Sequence, residues 1–357
     1  MTSDATLARF REYMVGPTRF MNLLSCFELG IIDELRENAP GLTASRLGDA
    51  VGVKADAVEQ LLQLLVKEGF VAYDEGSGVY SLDALAGVAE ADLQRMLAFM
   101  DMIKVVMLRQ MFHLTDSVRA GTVVGLQKFY DFEGTLFRAL AERAELRESW
   151  LRLAGIETAS VYPWFFGNID IPSGARVLDV LGGNGLGAVM THQLKASPGL
   201  HVTTFDRPEM EEQCLQTFRA HGMEDRCSFI GGDVLEDVPK GFDVVMIKHF
   251  LDIFDKDEVL KILDGANRAL DVGGKLIILA PVYPEDIKDP DDYQADFFPS
   301  FILGCAVGKG GAQKVSTYGS WLEERGFELT EVITKDPSDV PADAIITRAV
   351  LCATKTG

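Results

Sequence analysis

The hydrophobic pattern of the first ninety residues predicts a helical segment followed by a small module of helices and strands. Residues 8–38 are too densely apolar for a helix with one exposed face, which predicts a helix buried in a core or between subunits. Thr43 is a suitable N-cap for a short helix, and a second helix is expected to begin at Lys54. Two strands, 70–73 and 78–82, flank a turn rich in glycine and acidic residues. This order of elements predicts a winged helix.

The pattern changes twice after this module. Residues 91–165 predict helices throughout, rich in methionine and aromatic side chains. Beyond them, short apolar runs alternate with helical stretches, which predicts a parallel α/β sheet with helices on both faces. The last two runs, 327–334 and 344–354, follow each other through a polar loop and predict an antiparallel pair. We therefore expect two domains, residues 1–110 and 111–357.

The charge of the chain excludes several classes of partner. The sequence has 34 Lys and Arg against 54 Asp and Glu, and its net charge of -20 repels nucleic-acid phosphates and anionic membranes. Residues 31–90 alone carry 11 acidic and four basic side chains, so this module is expected to pack or dimerise rather than read DNA. Neither a secretory signal nor an apolar run long enough to cross a bilayer is found, so a cytoplasmic protein is expected. The five cysteines lack metal-binding spacing, which predicts free thiols and no metal site.

Acidic and glycine residues follow three successive predicted strands. The first strand leads into a turn that contains Gly182, Gly183 and Gly185. Glycines there let the backbone approach a ligand closely at the carboxyl end of the strand. Asp206 ends the second strand, where an acid can bind both hydroxyls of a ribose, and Asp233 follows the third strand. This spacing favours an adenosine-type cofactor.

These residues resemble those of class I methyltransferases that use S-adenosyl-L-methionine (SAM). The nicotinamide pattern is less complete, because Ala188 stands at its third glycine. From about Thr6 to Lys355 the chain is similar to the two-domain family of small-molecule O-methyltransferases. The resemblance implies a homodimer, with a Rossmann-like α/β SAM-binding domain after an N-terminal helical and winged-helix dimerisation domain. It also implies that nine residues bind SAM: Asp179, Gly182, Gly183, Gly185, Asp206, Arg207, Asp233, Val234 and Lys248.

The chain departs from the family pattern where the methyl group is transferred. The family has Lys-x-x-Leu-His-Asp-Trp, in which the histidine is the base, whereas residues 248–254 place Asp252 at that position. Ala280 and the run 308–317 also replace the supporting glutamates. A phenol with a pKa of about 10 is ionised to roughly one part in a thousand at neutral pH, so losing the base is costly. A thioether sulfur needs only positioning and desolvation.

We therefore expect a small acceptor without a proton to remove. The favoured acceptor is 4-methylthio-2-hydroxybutyrate, as in the marine bacterial S-methyltransferases that act on it. A carboxylate acceptor would need a cation, and Arg109, Lys104 and Lys309 are the candidates. Five residues are expected to line the substrate pocket: Met107, Arg109, Phe129, Tyr130 and Trp164.

Two residues are the candidates for catalysis, Asp252 and His249. His249 is either a relocated base, a hydrogen-bond donor to the substrate, or a packing residue behind Lys248. Three alternative functions stay open. They are an O-methyltransferase with a rebuilt base, an enzyme that binds SAM without transferring its methyl group, and a SAM-sensing regulator that uses the winged helix.

Overall fold

The computed structural model describes residues 3–289, 292–336, 339–341 and 344–357. The chain divides into two compact units, Met1–Met100 and Asp101–Gly357. This division falls N-terminal to the boundary expected at residue 110.

The first unit contains helices and a small antiparallel sheet of order β1-β3-β2. Its elements are α1 (Ser3–Glu28), α2 (Ile31–Glu37), β1 (Leu42–Thr43), α3 (Ala44–Val51), α4 (Ala55–Lys67), β2 (Val71–Asp74) and β3 (Val79–Leu82), and α5 (Glu90–Met102) continues past its end. The Thr43 hydroxyl accepts a hydrogen bond from the Arg46 backbone N–H at 3.4 Å, as the N-cap prediction requires. The predicted order of a winged helix is present in this unit.

The single helix predicted over residues 8–38 is wrong. Gly30 adopts a left-handed φ of 77° and separates α1 from α2, because glycine enters that conformation without steric cost. Burial is also uneven along α1. Leu24 is buried, whereas Phe10 and Tyr13 are 59% and 78% exposed within the chain.

The second unit begins with a helical region. A π-helical segment, Ile103–Leu108, is followed by α6 (Arg109–Met111), α7 (Leu114–Ala120), α8 (Val124–Tyr130), α9 (Leu136–Glu142) and α10 (Ala144–Asn168). The sequence predicted helices throughout 91–165. Two of the breaks, after α7 and after α8, fall where Gly121 and Asp131 adopt positive φ values of 66° and 48°.

The rest of the second unit is an α/β sheet of order β10-β11-β8-β7-β4-β5-β6, with the short strand β9 also paired to β8. Its strands are β4 (Arg176–Val180), β5 (His201–Asp206), β6 (Cys227–Gly231), β7 (Phe242–Lys248), β8 (Leu270–Tyr283), β9 (Gln313–Lys314), β10 (Phe327–Thr334) and β11 (Arg348–Lys355). Its helices are α11 (Leu186–Lys195), α12 (Glu211–Ala220), α13 (Lys256–Ala269), α14 (Gln294–Phe301) and α15 (Val315–Glu324).

Strands β6, β5, β4, β7 and β8 are parallel, and β11 is antiparallel to both β8 and β10. The predicted parallel sheet and terminal antiparallel pair are confirmed. The pair is shorter than expected, because β11 begins at Arg348 rather than at residue 344. Alternate residues of the central strands β4, β5, β7 and β8 pack into two cores, one on each face of the sheet, which leaves the carboxyl edge of the parallel strands for polar groups.

Candidate active site

The glycine-rich turn after β4 has the backbone that the sequence pattern predicts. Gly183 and Gly185 have φ values of 60° and 78°, which glycine adopts without steric cost. Leu181 has a φ of 49° at the position where the family has its first glycine. Its N–H donates to the Phe205 carbonyl at 2.7 Å, so β5 holds this unusual conformation in place.

Asp179 lies beneath this turn and is fully buried. One carboxylate oxygen accepts a hydrogen bond from the Lys248 ammonium, and the other has no protein partner among the described residues. A Cβ atom on Gly182 would lie 2.8 Å from that second oxygen, and one on Gly187 would lie 2.7 Å from it. Because Gly182 and Gly187 lack side chains, the buried Asp179 carboxylate has room beside the turn. Gly187 was not predicted from the sequence.

Asp206 ends β5 beside the same turn and is 6% exposed. Its carboxylate accepts hydrogen bonds from the backbone N–H groups of Gly183, at 2.8 Å, and of Arg207, at 2.7 Å. Burial raises the pKa of Asp206 above its usual value, and the two N–H groups oppose that shift. The backbone of the turn thus holds the carboxylate, while the Arg207 side chain is exposed.

The loop after β6 completes this part of the crevice. The Gly232 N–H donates to the Asp206 carbonyl at 2.9 Å, which joins the ends of the two strands. Asp233 is exposed, and its carboxylate accepts a hydrogen bond from the Leu235 N–H at 2.9 Å. Val234 is buried beside it. Two carboxylates and a glycine turn lie at one edge, an arrangement that suits an adenosine with ribose hydroxyls. The unpartnered Asp179 oxygen adds a buried acceptor, so these residues fit SAM.

The chain reverses direction sharply after Lys248. His249 has a φ of 57°, and its N–H donates to the Leu279 carbonyl at 2.8 Å. Burial, together with the positive charges of Arg348 and Lys248, lowers the pKa of the His249 imidazole to about 3. His249 is therefore a neutral side chain at physiological pH.

Asp252 lies in the short 3-10 turn Leu251–Ile253 and is 6% exposed. Its Oδ1 atom has no hydrogen-bond partner in the described part of the chain. Burial raises the pKa of Asp252 to about 6, and the Arg348 charge opposes the rise. The Gly311 N–H donates to the Asp252 carbonyl at 2.8 Å, so the loop that replaces the family's second glutamate supports the turn through its backbone.

Two residues that the sequence analysis did not select lie near this turn. Arg348 begins β11 and donates from Nη2 to a Glu157 carboxylate oxygen at 2.6 Å. Its Nε atom is buried and has no partner among the residues described. The positive charge of Arg348 acts on both His249 and Asp252. Neither residue belongs to a recognisable local motif, so only the folded sheet reveals them.

The residues predicted to line the substrate pocket fall into separate groups. Arg109 has a side chain 50% exposed and forms an ion pair with Glu145 at 3.2 Å. The Tyr130 hydroxyl contacts Arg109 at 3.5 Å and donates to the Val105 carbonyl at 3.2 Å. Met107 is buried in the helical region.

The two remaining aromatic residues have other neighbours. Phe129 is 46% exposed, and its ring centroid lies 5.6 Å from that of His113. Trp164 lies on α10 with the Lys335 ammonium 5.9 Å from its ring centroid. Of the cations proposed for a carboxylate acceptor, Lys309 pairs with Glu258 at 2.5 Å and with Asp255 at 3.4 Å.

Comparison with known families identifies both units. Residues 12–89 match the O-methyltransferase dimerisation domain, and residues 112–328 match the O-methyltransferase domain. The chain belongs to the O-methyltransferase family. The expected fold class and the expected enzyme class, a methyltransferase that uses SAM, are confirmed. No helix among the described residues is long and apolar enough to cross a membrane.

Relatives of this methyltransferase differ in the atom named as their acceptor. The chain is 28% identical over 305 residues to a mitomycin biosynthesis 6-O-methyltransferase of Streptomyces lavendulae, which covers 85% of the chain and 83% of that protein. It is 25% identical over 323 residues to an L-tyrosine C(3)-methyltransferase of the same organism, covering 88% of the chain and 85% of that protein.

Solved structures confirm the fold of the methyltransferase. The SAM-dependent methyltransferase SibL, in its apo form, is 24% identical with a TM-score of 0.78, and the match covers 98% of this chain and all of SibL. Human N-acetylserotonin methyltransferase in complex with SAM is 20% identical with a TM-score of 0.69, and the match covers both chains fully.

Proposed function

We propose that this enzyme methylates a small acceptor whose attacking atom carries no proton, with a thioether sulfur as the favoured atom. The observation that carries the proposal is the pair of side chains at the end of β7. An aspartate stands where the family has its histidine, and the neighbouring imidazole of His249 is a weak base. A sulfur lone pair accepts a methyl group without losing a proton, so neither side chain has to receive one.

The cofactor is proposed to lie across the ends of β4, β5 and β6. Asp206 would bind the ribose hydroxyls, and Asp233 with Val234 would border the adenine. The turn from Gly182 to Gly185 would lie against the rest of the ligand, above the Asp179 carboxylate that Lys248 holds. When bound, SAM supplies an electrophilic methyl group on a positively charged sulfur.

The pKa of His249 argues against this residue as the base. Protonating an imidazole with a pKa of about 3 at pH 7 costs about 5 kcal/mol. Its left-handed backbone conformation gives the residue a different role, in which it directs the chain from β7 into the turn that contains Asp252.

Asp252 supports a second candidate function, an O-methyltransferase with a rebuilt base. Its unpartnered Oδ1 atom could accept a proton from a hydroxyl, and burial raises its basicity. Several relatives are named as O-methyltransferases, the mitomycin enzyme among them. The two candidates differ in what Asp252 does, so they can be separated by changing this residue.

The experiment is an acceptor panel with labelled SAM, containing 4-methylthio-2-hydroxybutyrate, phenols and 2-oxo acids. For a thioether acceptor, we expect a rate that is nearly flat between about pH 6 and 9. Asp252→Asn should then cost much less than the ~100-fold expected for loss of a general base. Asp257→Asn, an exposed change on α13, is the control.

Three other results would replace the proposal. A phenol acceptor with a steep pH profile and an inactive Asp252→Asn variant would establish the O-methyltransferase. Saturable SAM binding with no labelled product from any acceptor would favour an enzyme that binds SAM without methyl transfer. A salt-dependent gel shift would favour the regulator.

We also propose a homodimer formed through the first unit. Residues 12–89 match a dimerisation domain, and α1 exposes Leu7, Phe10, Tyr13 and Met14 at 61%, 59%, 78% and 71%. Apolar side chains so exposed on one helix are typical of a subunit interface. Sedimentation at micromolar concentration should give about twice 39.1 kDa. A clean monomer would contradict the proposal.

A further inference from the structure

The first residue of β11 lies at the same sheet edge as the end of β7. Arg348 is paired with Pro281 of the antiparallel neighbour β8, and Leu279 of β8 is paired with Lys248 of the parallel strand β7. Arg348 and Lys248 also share one face of the sheet. Each is two residues from a member of the same hydrophobic cluster, Val350 and Met246 respectively, and side chains two apart in a strand point to the same face.

The Arg348 guanidinium is incompletely paired. Nη2 donates to Glu157 at 2.6 Å and Nη1 donates to the Ile346 carbonyl at 3.2 Å. Nε is buried and has no partner in the described residues. Leaving a buried donor of a charged group unpaired costs more free energy than leaving a neutral donor unpaired. An oxygen from a bound molecule would remove that cost.

A second buried donor belongs to the residue that supports the start of β11. The Gln294 side-chain oxygen accepts a hydrogen bond from the Thr347 N–H at 2.9 Å, which fixes the orientation of the amide. The Gln294 Nε2 group is then a donor without a partner among the described residues, in a side chain that is fully buried. One unpaired donor therefore belongs to the residue that follows Thr347 in the chain, and the other belongs to the side chain that contacts the Thr347 N–H.

Three other cations of the second unit have acidic partners. Lys248 is bound by Asp179, and Lys309 is bound by Glu258 and Asp255. Arg109 is half-exposed beside Glu145. Arg348 also has an acidic partner, but the carboxylate of Glu157 accepts from Nη2 and leaves the Nε–H group without an acceptor among the described residues.

We propose that Arg348 binds a carboxylate of the methyl acceptor through its Nε–H group, with Gln294 as a second donor, so the acceptor is a small organic acid. This inference rests on the proposed function and specifies the chemical class of its substrate. The acceptor carboxylate would offset the positive charge that SAM brings to a poorly solvated site. It would also leave the hydroxyl of a 2-hydroxy acid free to donate to Asp252.

The test measures acceptor binding separately from methyl transfer. Calorimetry on enzyme saturated with S-adenosylhomocysteine gives the Kd of 4-methylthio-2-hydroxybutyrate and of its uncharged primary amide. The wild-type enzyme should bind the acid roughly 10- to 100-fold more tightly than the amide, the range of a charge-assisted hydrogen bond. Arg348→Met should remove this preference and leave the Kd of the amide within about threefold.

Three further variants sharpen the test. Arg348→Lys keeps a cation without the planar Nε donor and should recover only part of the preference. Glu157→Gln should tighten binding of the acid, since it removes the competing carboxylate. Arg176→Met is the matched control, because Arg176 pairs with Asp243 at 3.2 Å at the amino end of β4. This control should leave both Kd values unchanged.

The outcomes separate this inference from the proposed function. Equal Kd values for acid and amide in the wild type, or an unchanged preference in Arg348→Met, would overturn the role of Arg348 even if the thioether is methylated. If phenols rather than thioethers are methylated, the same comparison is made with a phenolic acid and its amide. If that comparison shows an Arg348-dependent preference for the acid, it would support carboxylate binding by Arg348 and contradict the proposed thioether acceptor.

Discussion

The two halves of the sheet edge are built differently. At the ends of β5 and β6, the carboxylates accept hydrogen bonds from backbone N–H groups, as Asp206 does from Gly183 and Arg207. Asp179 of β4 is held by Lys248 and keeps one oxygen without a partner among the described residues. After the end of β7 and at the start of β11, Asp252 and Arg348 have buried polar atoms without protein partners in the part of the chain described. The comparison indicates that the cofactor half is preorganised by the fold, whereas the acceptor half is completed by its ligand.

The largest expected effect comes from removing a carboxylate from the cofactor half. Asp206→Ala should abolish saturable SAM binding by calorimetry, because each charge-assisted hydrogen bond to a ribose hydroxyl is worth about 1.5–3 kcal/mol. Asp252→Ala, in the other half of the edge, should leave the Kd for SAM within a few-fold. Wild-type affinity in Asp206→Ala would show that the cofactor does not bind at this edge.

The next effect tests how much stability the protein loses by burying the unpartnered Asp252 carboxylate in the acceptor half. The pKa of Asp252 is raised from 3.8 to about 6, so the folded protein holds this proton more tightly than the unfolded chain does. Ionised Asp252 therefore lowers stability by about 3 kcal/mol once the pH has risen above 6, and this cost is absent below about pH 4. Asp252→Asn should raise the Tm more at pH 8 than at pH 5. An equal change in Tm at both pH values would contradict the shifted pKa.

A smaller effect tests the close packing around Asp179. Gly187→Ala places a methyl group 2.7 Å from the Asp179 carboxylate and 3.1 Å from Lys248 Nζ. Overpacking of this kind costs about 1–3 kcal/mol, which thermal unfolding should detect. Gly155→Ala in α10 is the matched control, since its Cβ meets nothing within 4 Å. That change should stabilise the protein by about 0.5–1 kcal/mol. Similar Tm shifts in both variants would argue against close packing between Gly187 and the Asp179 carboxylate.

The smallest effect compares two carboxylates of the cofactor half, Asp233 and Asp206. Asp233 is exposed and already bonded to the Leu235 N–H, so water competes for its remaining acceptor sites. Asp233→Ala should weaken SAM binding by no more than about tenfold, the equivalent of roughly 1.4 kcal/mol. A loss as large as that of Asp206→Ala would mean that both carboxylates bind the ligand with equal strength.

The same difference between the halves decided what the sequence could predict. The turn from Gly182 to Gly185 and the acid Asp206 are local patterns at strand ends, so they could be found before the fold was known. Arg348 reaches the site only because β11 runs antiparallel to β8 and brings its first residue to the carboxyl edge. The residues expected as cations, Arg109 and Lys309, could not be recognised from the sequence as members of ion pairs.

The boundary between the first two helices could not be predicted from the sequence for a similar reason. The apolar density of residues 8–38 suggested one helix, but the left-handed conformation of Gly30 outweighs periodicity at that point. The homodimer rests on the same segment and stays a prediction. By contrast, the Thr43 cap and the alternation of strands and helices after residue 176 depend on neighbouring residues, and the structure contains them.

The positive φ of His249 has a consequence for how mutant libraries at this position should be interpreted. A φ of 57° is uncommon outside glycine, although histidine, asparagine and aspartate adopt it more readily than other residues. An alanine scan would therefore mix the loss of an imidazole with a distortion of the main chain that leads to Asp252. Saturation mutagenesis separates the two, because glycine and asparagine preserve the bend without the ring. If those two variants retain turnover while bulky or β-branched ones lose it, selection at position 249 acts on the backbone.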